Sequence, residues 1–448
     1  MAVRNRRYGR RNNRSHAILR APANDPPGAQ HFSWPRDDRA HVRANPPGEV
    51  RATVLASSAS RTLAARSHDA CGRPHAHYPN PVTPTGGLPM SIRSRELVYL
   101  GWQGEGNFGD ELIYDYWRAA LGRKLDVKAP LILRKYLMRR APRFLADRAK
   151  LLGRDRAILL GGGTTIGFAA WANHTRLAQR MFGAHHVFSA GAGIAAADDS
   201  FTLRTQPQDW NAWRANSGLR TLGIRGPLSQ REFAREIGWA PVVGDPALAY
   251  PDVVRLSPIT RPVIGLSLGS EGSSRFSVAA VAAAVRSAAD ILGYGIVLFQ
   301  MTDADAPVNA ELAVHLGPVE VVEFDGDVVQ MMNRIAGCAA FVSERLHGTI
   351  AAVAAGVPAT PLPYASKCDD FWLSVADERP RLTATSSSEE MTAEILRSME
   401  PAVRSGIAAR TAAYRAAHAT LAQELREWLA GGTSEPGASS AATQGERE

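Results

Sequence analysis

Three residues with chemically useful side chains stand where predicted strands end. Arg225 closes one short apolar run, and Arg345 and His347 follow the run 339–342, where a helix opens. The planar guanidinium fork of arginine matches a carboxylate or a phosphate, and histidine can exchange a proton near neutral pH. These side chains can face one cleft and handle a small anion. Alternatively, Arg345 pairs with a structural acid such as Glu344, and His347 caps the helix.

Glycine-rich turns follow other predicted strands. The glycine triplet 161–163 precedes two threonines, and a second glycine-rich turn, GAG at 191–193, follows the next strand. Open α/β sheets bind ligands at the carboxyl ends of their strands, where glycine leaves backbone N–H groups bare for an anion or a sugar. The segment 104–109 fits the dinucleotide pattern G-x-G-x-x-G, but Asp126 precedes the second apolar run instead of ending it. We therefore interpret 104–109 as a packing turn.

The elements that must position these residues alternate between strands and helices from residue 96 onward. Such alternation predicts parallel sheets of the α/β class. The strand-like runs are 96–102, 157–160, 186–190, 222–225, 263–268, 296–300, 319–324, 339–342 and 359–363. Helices are predicted at 109–121, 277–292 with Gly293 as its C-cap, 328–336 and 414–430. Ser229 followed by Glu232 predicts a capping box, in a helix that ends at Gly238.

Prolines cluster at 250–262, directly before a fresh buried strand, and we predict a domain boundary there. The predicted domains are 91–255 and 256–430, and each is long enough to bury its own core. Residues 1–90 lack any sustained period and are predicted to form a disordered basic arm, and 431–448 a disordered tail. Because Met90 precedes the first clean strand, we expect translation to begin there.

The net charge of +9 in these 448 residues is confined to one end of the chain. Residues 1–90 hold 14 arginines, no lysine and 5 acids, whereas the remainder holds 38 basic and 38 acidic groups. An electrically neutral body argues against a nucleic-acid binder with a basic face.

Other classes are excluded by what the chain lacks. Three scattered cysteines favour a reducing, cytoplasmic setting over a disulfide framework. The spacing of Asp69, Cys71, His75 and His77 fits no zinc module, so we predict no metal site. No apolar run approaches the ~18–20 residues of a spanning helix, and no secretory signal precedes the body.

A series of motifs in fixed order resembles the polysaccharide pyruvyl transferases. The resemblance covers roughly 96–375, and the RLHG element is the most specific part of it. The motifs are GNFGDE (106–111), GGG (161–163), GAG (191–193), RGPLS (225–229), GDP (244–246), SERLHG (343–348), GVP (356–358) and Y-x-x-K-x-x-x-F (364–371).

The resemblance implies two Rossmann-like domains facing a cleft, similar to the B-type glycosyltransferase fold. The domain 91–255 would take the acceptor and 256–430 the donor, with the helix 414–430 returning across the junction. It also implies transfer of pyruvate from phosphoenolpyruvate onto a sugar of a bacterial cell-surface or exopolysaccharide precursor, usually as a ketal. The setting would be cytoplasmic, at the inner face of the cell membrane if the acceptor is lipid-linked. Neither a cofactor nor a metal is implied.

Carried over by motif, the catalytic residues would be Arg225, Arg345 and His347. The donor site would consist of Arg225, Arg345, Leu346, His347, Gly348 and Lys367. The acceptor side would consist of Asn107, Asp110, Gly162, Gly163, Thr164 and Thr165. One departure is Gly226, since the family more often has an acid after this arginine.

The implied chemistry fits these residue types. Two arginines can bind the carboxylate and the phosphate of phosphoenolpyruvate, each charge-assisted hydrogen bond contributing about 1.5–3 kcal/mol. Ketal formation requires a proton on the methylene carbon, attack by a sugar hydroxyl at C2, and displacement of phosphate by a second hydroxyl. His347 is the candidate acid or base. Asp110 and Asp245 are interpreted as structural, the first as a cap of the opening helix.

Two other functions remain open. A glycosyltransferase on the same fold would bind a nucleotide sugar through its second half. A non-catalytic binder would attach to nucleic acid through the arm 1–90, with an affinity that depends on salt.

Overall fold

The computed structural model describes residues 95–122, 125, 133–269, 274–432 and 436–437. Within these ranges the chain forms two five-stranded sheets, in which every pair of neighbouring strands is parallel. The predicted α/β class is confirmed. The arm 1–90, with its Cys and His residues, lies outside the described residues, as do Asp126 and most of the tail 431–448.

The first sheet is formed before residue 225. Its strands run in the order β1-β2-β4-β3, and β5 also pairs with β4. The strands are β1 (Arg95–Leu100), β2 (Asp155–Leu160), β3 (Thr164–Ile166), β4 (His186–Ile194) and β5 (Leu219–Ile224). The helices are α1 (Phe108–Ala120), α2 (Leu133–Lys150), α3 (Ala169–Phe182), α4 (Ser200–Leu203), α5 (Trp210–Arg214), α6 (Pro227–Glu236) and α7 (Tyr250–Val253), with a 3-10 turn at Pro246–Ala249 before α7.

The second sheet runs in the order β10-β9-β6-β7-β8, so the direction of winding reverses between β6 and β9. This is the order of a Rossmann sheet, and ligands bind where such a sheet reverses. The strands are β6 (Val263–Ser267), β7 (Gly295–Gln300), β8 (Glu320–Glu323), β9 (Ala340–Ser343) and β10 (Ala359–Pro361). The helices are α8 (Val278–Leu292), α9 (Ala306–Leu316), α10 (Val328–Ala336), α11 (Leu346–Ala354), α12 (Ser366–Ala376), α13 (Ser388–Ser398) and α14 (Pro401–Leu429), with a 3-10 turn at Asp303–Asp305 before α9.

The central strands are apolar because helices cover both faces of a parallel sheet. All five residues of β6 are buried, as are the last four of β2. The predicted limits of α8 are confirmed, since the Ser277 hydroxyl accepts a hydrogen bond from the Ala280 N–H and Gly293 ends the helix with φ 70°. The predicted boundary 250–262 lies between the two sheets, and the domain limits themselves stay predictions.

Helix α14 returns from the second half to the first, as the resemblance implied. The Trp428 ring packs edge-on against Phe188 of β4 at 5.1 Å between centroids, and the Trp428 carbonyl accepts a hydrogen bond from Arg95 at 3.1 Å. The helix is longer than the predicted 414–430, because it begins at Pro401. The two halves are also joined by a hydrogen bond from the Phe108 N–H to the Met301 carbonyl at 3.0 Å.

The predicted capping box in the first half is wrong. Helix α6 begins at Pro227, two residues before Ser229, and Glu232 pairs with Arg235 instead of reaching back to the helix start. The hydroxyl of Ser229 donates to Asp370 at 2.6 Å. The helix is therefore capped by a side chain from the other half of the molecule.

Candidate functional site

The candidate residues lie at the carboxyl edges of both sheets, and the reversal point of the second sheet organises one side. Glu344 follows β9 there, and its carboxylate accepts hydrogen bonds from the backbone N–H groups of Gly269 at 2.8 Å and Arg275 at 2.7 Å. Glu344 therefore holds the loop after β6. The predicted alternative that Arg345 pairs with a structural acid is confirmed, but this acid is not Glu344.

Arg345 is held by Asp305 instead, which lies in the turn after β7. The Arg345 Nε donates to Asp305 Oδ1 at 3.0 Å, and Nη2 donates to the same oxygen. The other carboxylate oxygen accepts the Met301 N–H at 3.1 Å. Among the described residues no partner is recorded for Nη1 of Arg345, so this edge of the guanidinium remains available to a ligand.

His347 lies in the first turn of α11 and faces α1 of the other half. Its ring packs so closely on Gly109 that a Cβ at that position would lie 2.1 Å from the His347 Nδ1. The Nε2 atom is buried without a hydrogen bond and lies 3.9 Å from Asp245 Oδ2. Burial, reinforced by the positive charges of Arg225 and Lys367, lowers the pKa of His347 to about 3. The imidazole is therefore neutral, and it does not cap the helix.

Arg225 follows β5 and is fully buried. Its Nη2 donates to the Thr164 hydroxyl at 3.1 Å, and its Nε lies 3.6 Å from the Asp370 carboxylate. Neither Nε nor Nη1 forms a hydrogen bond with any described residue. The guanidinium fits only because residue 193 is glycine, since a Cβ there would lie 2.2 Å from Nη2.

The acid beside Arg225 comes from α12. Asp370 accepts the N–H groups of Leu228 at 2.8 Å and Ser229 at 3.1 Å, so that it caps α6 as well as facing the arginine. A Cβ at Gly226 would lie 2.4 Å from Asp370 Oδ1. The family more often has an acid directly after this arginine. Here residue 226 is glycine, and Asp370 supplies the acid beside Arg225.

Two carboxyl groups accompany these cations, Asp245 beside His347 and Asp110 within the range of Lys367 and Asp245. Asp110 does not cap α1, contrary to prediction, because the Asn107 side chain accepts the Gly109 N–H at 3.0 Å. Burial, together with Glu111 and Asp245, raises the pKa of Asp110 to about 7, although Lys367 opposes the shift. Asp245 caps the turn at Pro246–Ala249 through one oxygen and leaves the other without a partner.

The remaining donor-side candidates differ in their surroundings. The Lys367 ammonium lies 4.8 Å from the centroid of the Tyr364 ring. Leu346 is buried, and Gly348 is packed against the Ser343 hydroxyl, where a Cβ would lie 2.4 Å from Oγ. Leu346 and Gly348 therefore shape the start of α11, whereas Lys367 contributes charge.

The acceptor-side candidates have different local roles, and the acceptor site itself stays a prediction. The side chain of Asn107 is used as a helix cap. Gly162 and Gly163 have φ of 118° and 71°, which L-residues rarely adopt, so their backbone turns sharply after β2. Thr164 binds Arg225, and Thr165 is buried with an unpaired hydroxyl.

The sequence reasoning missed the partners of the arginines, Asp305 and Asp370. One signal for Asp370 was available, because Lys367 and Asp370 are three residues apart and share a helix face. No group of three or more His, Cys, Asp and Glu side chains is placed to hold a metal ion in the part of the chain that the structure describes.

Comparison with known proteins gives one family and one fold. The sequence model of the polysaccharide pyruvyl transferases matches residues 107–366. No curated protein sequence matches the chain. Two solved structures are similar: a Listeria monocytogenes protein described as a UDP-N-acetylglucosamine 2-epimerase (13% identity, TM-score 0.51, 77% of this chain and 98% of that one) and the S. aureus MnaA–UDP complex (12% identity, TM-score 0.51, 77% and 99%). At these identities they show the fold alone, a pair of Rossmann-like sheets of the B-type glycosyltransferase class.

Proposed function

Because the chain belongs to the polysaccharide pyruvyl transferase family, we propose that it transfers pyruvate from phosphoenolpyruvate onto a sugar of a bacterial cell-surface or exopolysaccharide precursor. The product is a ketal across two hydroxyls of that sugar. The donor is an intracellular metabolite, so the reaction takes place in the cytoplasm. No cofactor takes part in this scheme.

The observation that carries the proposal is the pair of unpaired nitrogens on Arg225. A buried hydrogen-bond donor costs free energy unless it meets an acceptor. The Nε and Nη1 atoms of Arg225 are buried without acceptors among the described residues, and the charges of Arg225 and Lys367 both act on His347. An anion that carries both a carboxylate and a phosphate supplies the missing acceptors.

Asp110 supplies the proton in this mechanism. Its carboxyl has a pKa of about 7 and receives no hydrogen bond from another described residue, so it is partly protonated at neutral pH. Transfer of that proton to the methylene carbon turns the donor double bond into a methyl group and leaves an electrophilic C2. His347 cannot play this part, because it carries no proton to give at this pH.

His347 acts as the base. The first sugar hydroxyl adds to C2, and its proton goes to the imidazole, whose pKa rises once the bound donor offsets the charges of Arg225 and Lys367. The second hydroxyl then attacks C2, and the C–O bond to phosphate breaks. Its proton leaves with the phosphate, so the products are the ketal and inorganic phosphate. Arg225 and Arg345 hold the leaving phosphate and the carboxylate throughout.

Phosphate release from phosphoenolpyruvate across a panel of lipid-linked and nucleoside-diphosphate-linked glycans tests the proposal. We expect release with at least one acceptor, and a product whose mass increases by one pyruvate ketal. Release of a nucleoside diphosphate from a nucleotide sugar, with none of phosphate from phosphoenolpyruvate, would instead identify a glycosyltransferase.

A further inference from the structure

Helix α2 concentrates positive charge in a body whose net charge is zero. Its 18 residues, LRKYLMRRAPRFLADRAK, contain seven lysines and arginines and one acid. Residues 91–448 as a whole contain 38 basic and 38 acidic groups. The charge of this helix is therefore balanced elsewhere in the body, and not locally.

Large apolar side chains are exposed among these charges. Leu145 is 64% exposed and Leu152, just after the helix, is 74% exposed. Leu152 lies two residues beyond the end of α2, so both leucines adjoin the C-terminal half of this helix. Arg143 and Arg148 are also exposed, and neither forms an ion pair with another described residue. We call these residues, together with Lys150, the basic helix surface.

Exposed leucines flanked by basic side chains are typical of helices that lie in the interface of a membrane. The leucines enter the boundary of the acyl chains while the arginines meet the lipid phosphates. No helix among the described residues is long and apolar enough to cross a membrane. A helix that lies on the bilayer has no such length requirement.

We propose that the basic helix surface docks this protein on the anionic phospholipid surface of a membrane. The proposal rests on the proposed function in one respect, since docking would bring the cleft to an acceptor carried on a membrane lipid. Leucine contacts favour a bilayer over a nucleic acid, because a phosphate backbone alone gives exposed leucines no apolar partner. The arm 1–90 is a poor intramolecular cover, because its net charge of +9 would be repelled.

Sedimentation of the full chain with vesicles tests this surface. The vesicles contain either phosphatidylcholine with about a third phosphatidylglycerol or phosphatidylcholine alone. One variant removes three charges, Arg143→Gln/Arg148→Gln/Lys150→Gln, and a second is Leu145→Ser/Leu152→Ser. The control Arg180→Gln/Arg255→Gln/Arg404→Gln removes the same number of exposed charges elsewhere, so non-specific effects of net charge are matched.

We expect binding to anionic vesicles that weakens roughly fivefold for each charge removed from the basic helix surface. The serine variant loses binding as well, the control does not, and raised salt weakens binding of the wild type. Equal losses in the test and control charge variants would overturn the proposal, because binding would then reside elsewhere, for example in the arm 1–90. Serine substitution without effect, or binding to duplex DNA that abolishes vesicle binding, would also overturn it.

Turnover provides a separate readout. Phosphate release with a water-soluble acceptor should be unchanged in all three variants, because the substituted residues lie outside the candidate site. Absence of phosphate release from the wild type would contradict the proposed function and leave the vesicle result standing on its own.

Discussion

Arg225 and Arg345 belong to the same candidate site, yet each half of the molecule holds its arginine differently. Arg345 in the second half is bound by Asp305, which follows β7 of the same sheet. Arg225 in the first half faces Asp370, which lies on α12, 145 residues further along the chain and beyond the second sheet.

This difference has a consequence for how the site depends on the two halves. Asp305 can orient Arg345 whether or not the first half is in place. Asp370 faces Arg225 only when α12 is docked on α6, and the same carboxylate caps α6 through Leu228 and Ser229. The first half therefore cannot supply Arg225 with its acidic partner unless the second half is in place, and formation of the candidate site depends on the joining of the halves.

The largest expected effect is the loss of turnover when a candidate residue of the second half is replaced. Arg345→Ala and His347→Ala should each reduce phosphate release from phosphoenolpyruvate by about 10²–10⁴-fold, because one removes an anion contact and the other the base. Arg345→Ala should also lower the thermal stability, because it leaves the buried Asp305 carboxylate without its partner, so rates are compared for the folded fraction of each variant. Arg334→Ala, an exposed arginine of the same half, serves as the control. Wild-type rates in both site variants would refute the assignment.

The variants Asp370→Asn and Asp305→Asn test directly whether the two arginines depend differently on their acidic partners. Removing one partner of a buried ion pair costs about 3–5 kcal/mol of unfolding free energy. Both side chains of the pair Arg225–Asp370 are fully buried, whereas Arg345 is partly exposed in its pair with Asp305. We expect Asp370→Asn to lower both the stability and the affinity for phosphoenolpyruvate. Asp305→Asn should affect mainly the affinity. Denaturant unfolding with KM measurements separates these outcomes, and equal stability losses would contradict the distinction.

Exchanging the residues at positions 226 and 370 tests whether the acid beside Arg225 can be supplied from either position. Gly226→Asp alone should be destabilising, because its Cβ would contact Asp370. The double variant Gly226→Asp/Asp370→Gly returns the acid to the position where the family more often carries it. We expect it to recover part of the affinity and stability lost in the two single variants, which a double-mutant cycle measures. Simple addition of the two losses would show that residues 226 and 370 act independently.

If Asp110 is the acid, as we propose, its titration sets the pH dependence of turnover. Its carboxyl has a pKa of about 7, so turnover should fall as pH rises through 7 and the proton is lost. Asp110→Asn should reduce turnover by about 10²–10⁴-fold and abolish this alkaline limb. The folded state binds this proton more tightly than the unfolded one, so its contribution to stability is lost as pH rises from about 4 to 7. A pH–rate profile unchanged in Asp110→Asn would exclude the residue as the acid.

The smallest expected effect is a shift in the titration of His347. Its pKa is about 3 in the empty site because burial and the neighbouring cations oppose the charged form. Bound phosphoenolpyruvate brings negative charge and should raise this pKa, which NMR of the imidazole can follow with His418 as an internal reference. A pKa that stays near 3 with donor bound would mean that the anion does not contact the pair Arg225 and His347.

Much of this arrangement is accessible from local sequence. Arg225 and Arg345 are placed correctly at strand ends because short apolar runs and their glycine turns are local signals. The limits of α8 and its C-cap Gly293 are predicted correctly for the same reason. The start of α14 is missed, because its first turns carry alanine, arginine and Gly406 without the apolar period of its second half.

The partners of the arginines are not accessible in this way. Asp370 meets Ser229 across 141 residues, and nothing in the local pattern of α6 distinguishes a capping serine from one that donates to a distant carboxylate. The same holds for Asp305, which shares no sequence neighbourhood with Arg345. Tertiary packing decides which acid meets which arginine, and the raised pKa of Asp110 likewise follows from burial between the halves.

The most direct test of the account is calorimetric titration of the full chain with phosphoenolpyruvate, and separately with nucleoside diphosphates. We expect binding of phosphoenolpyruvate that is weakened at least tenfold in Arg225→Lys and in Arg345→Lys, since lysine keeps the charge but loses the fork. Tight binding of a nucleoside diphosphate with none of phosphoenolpyruvate would contradict the central claim.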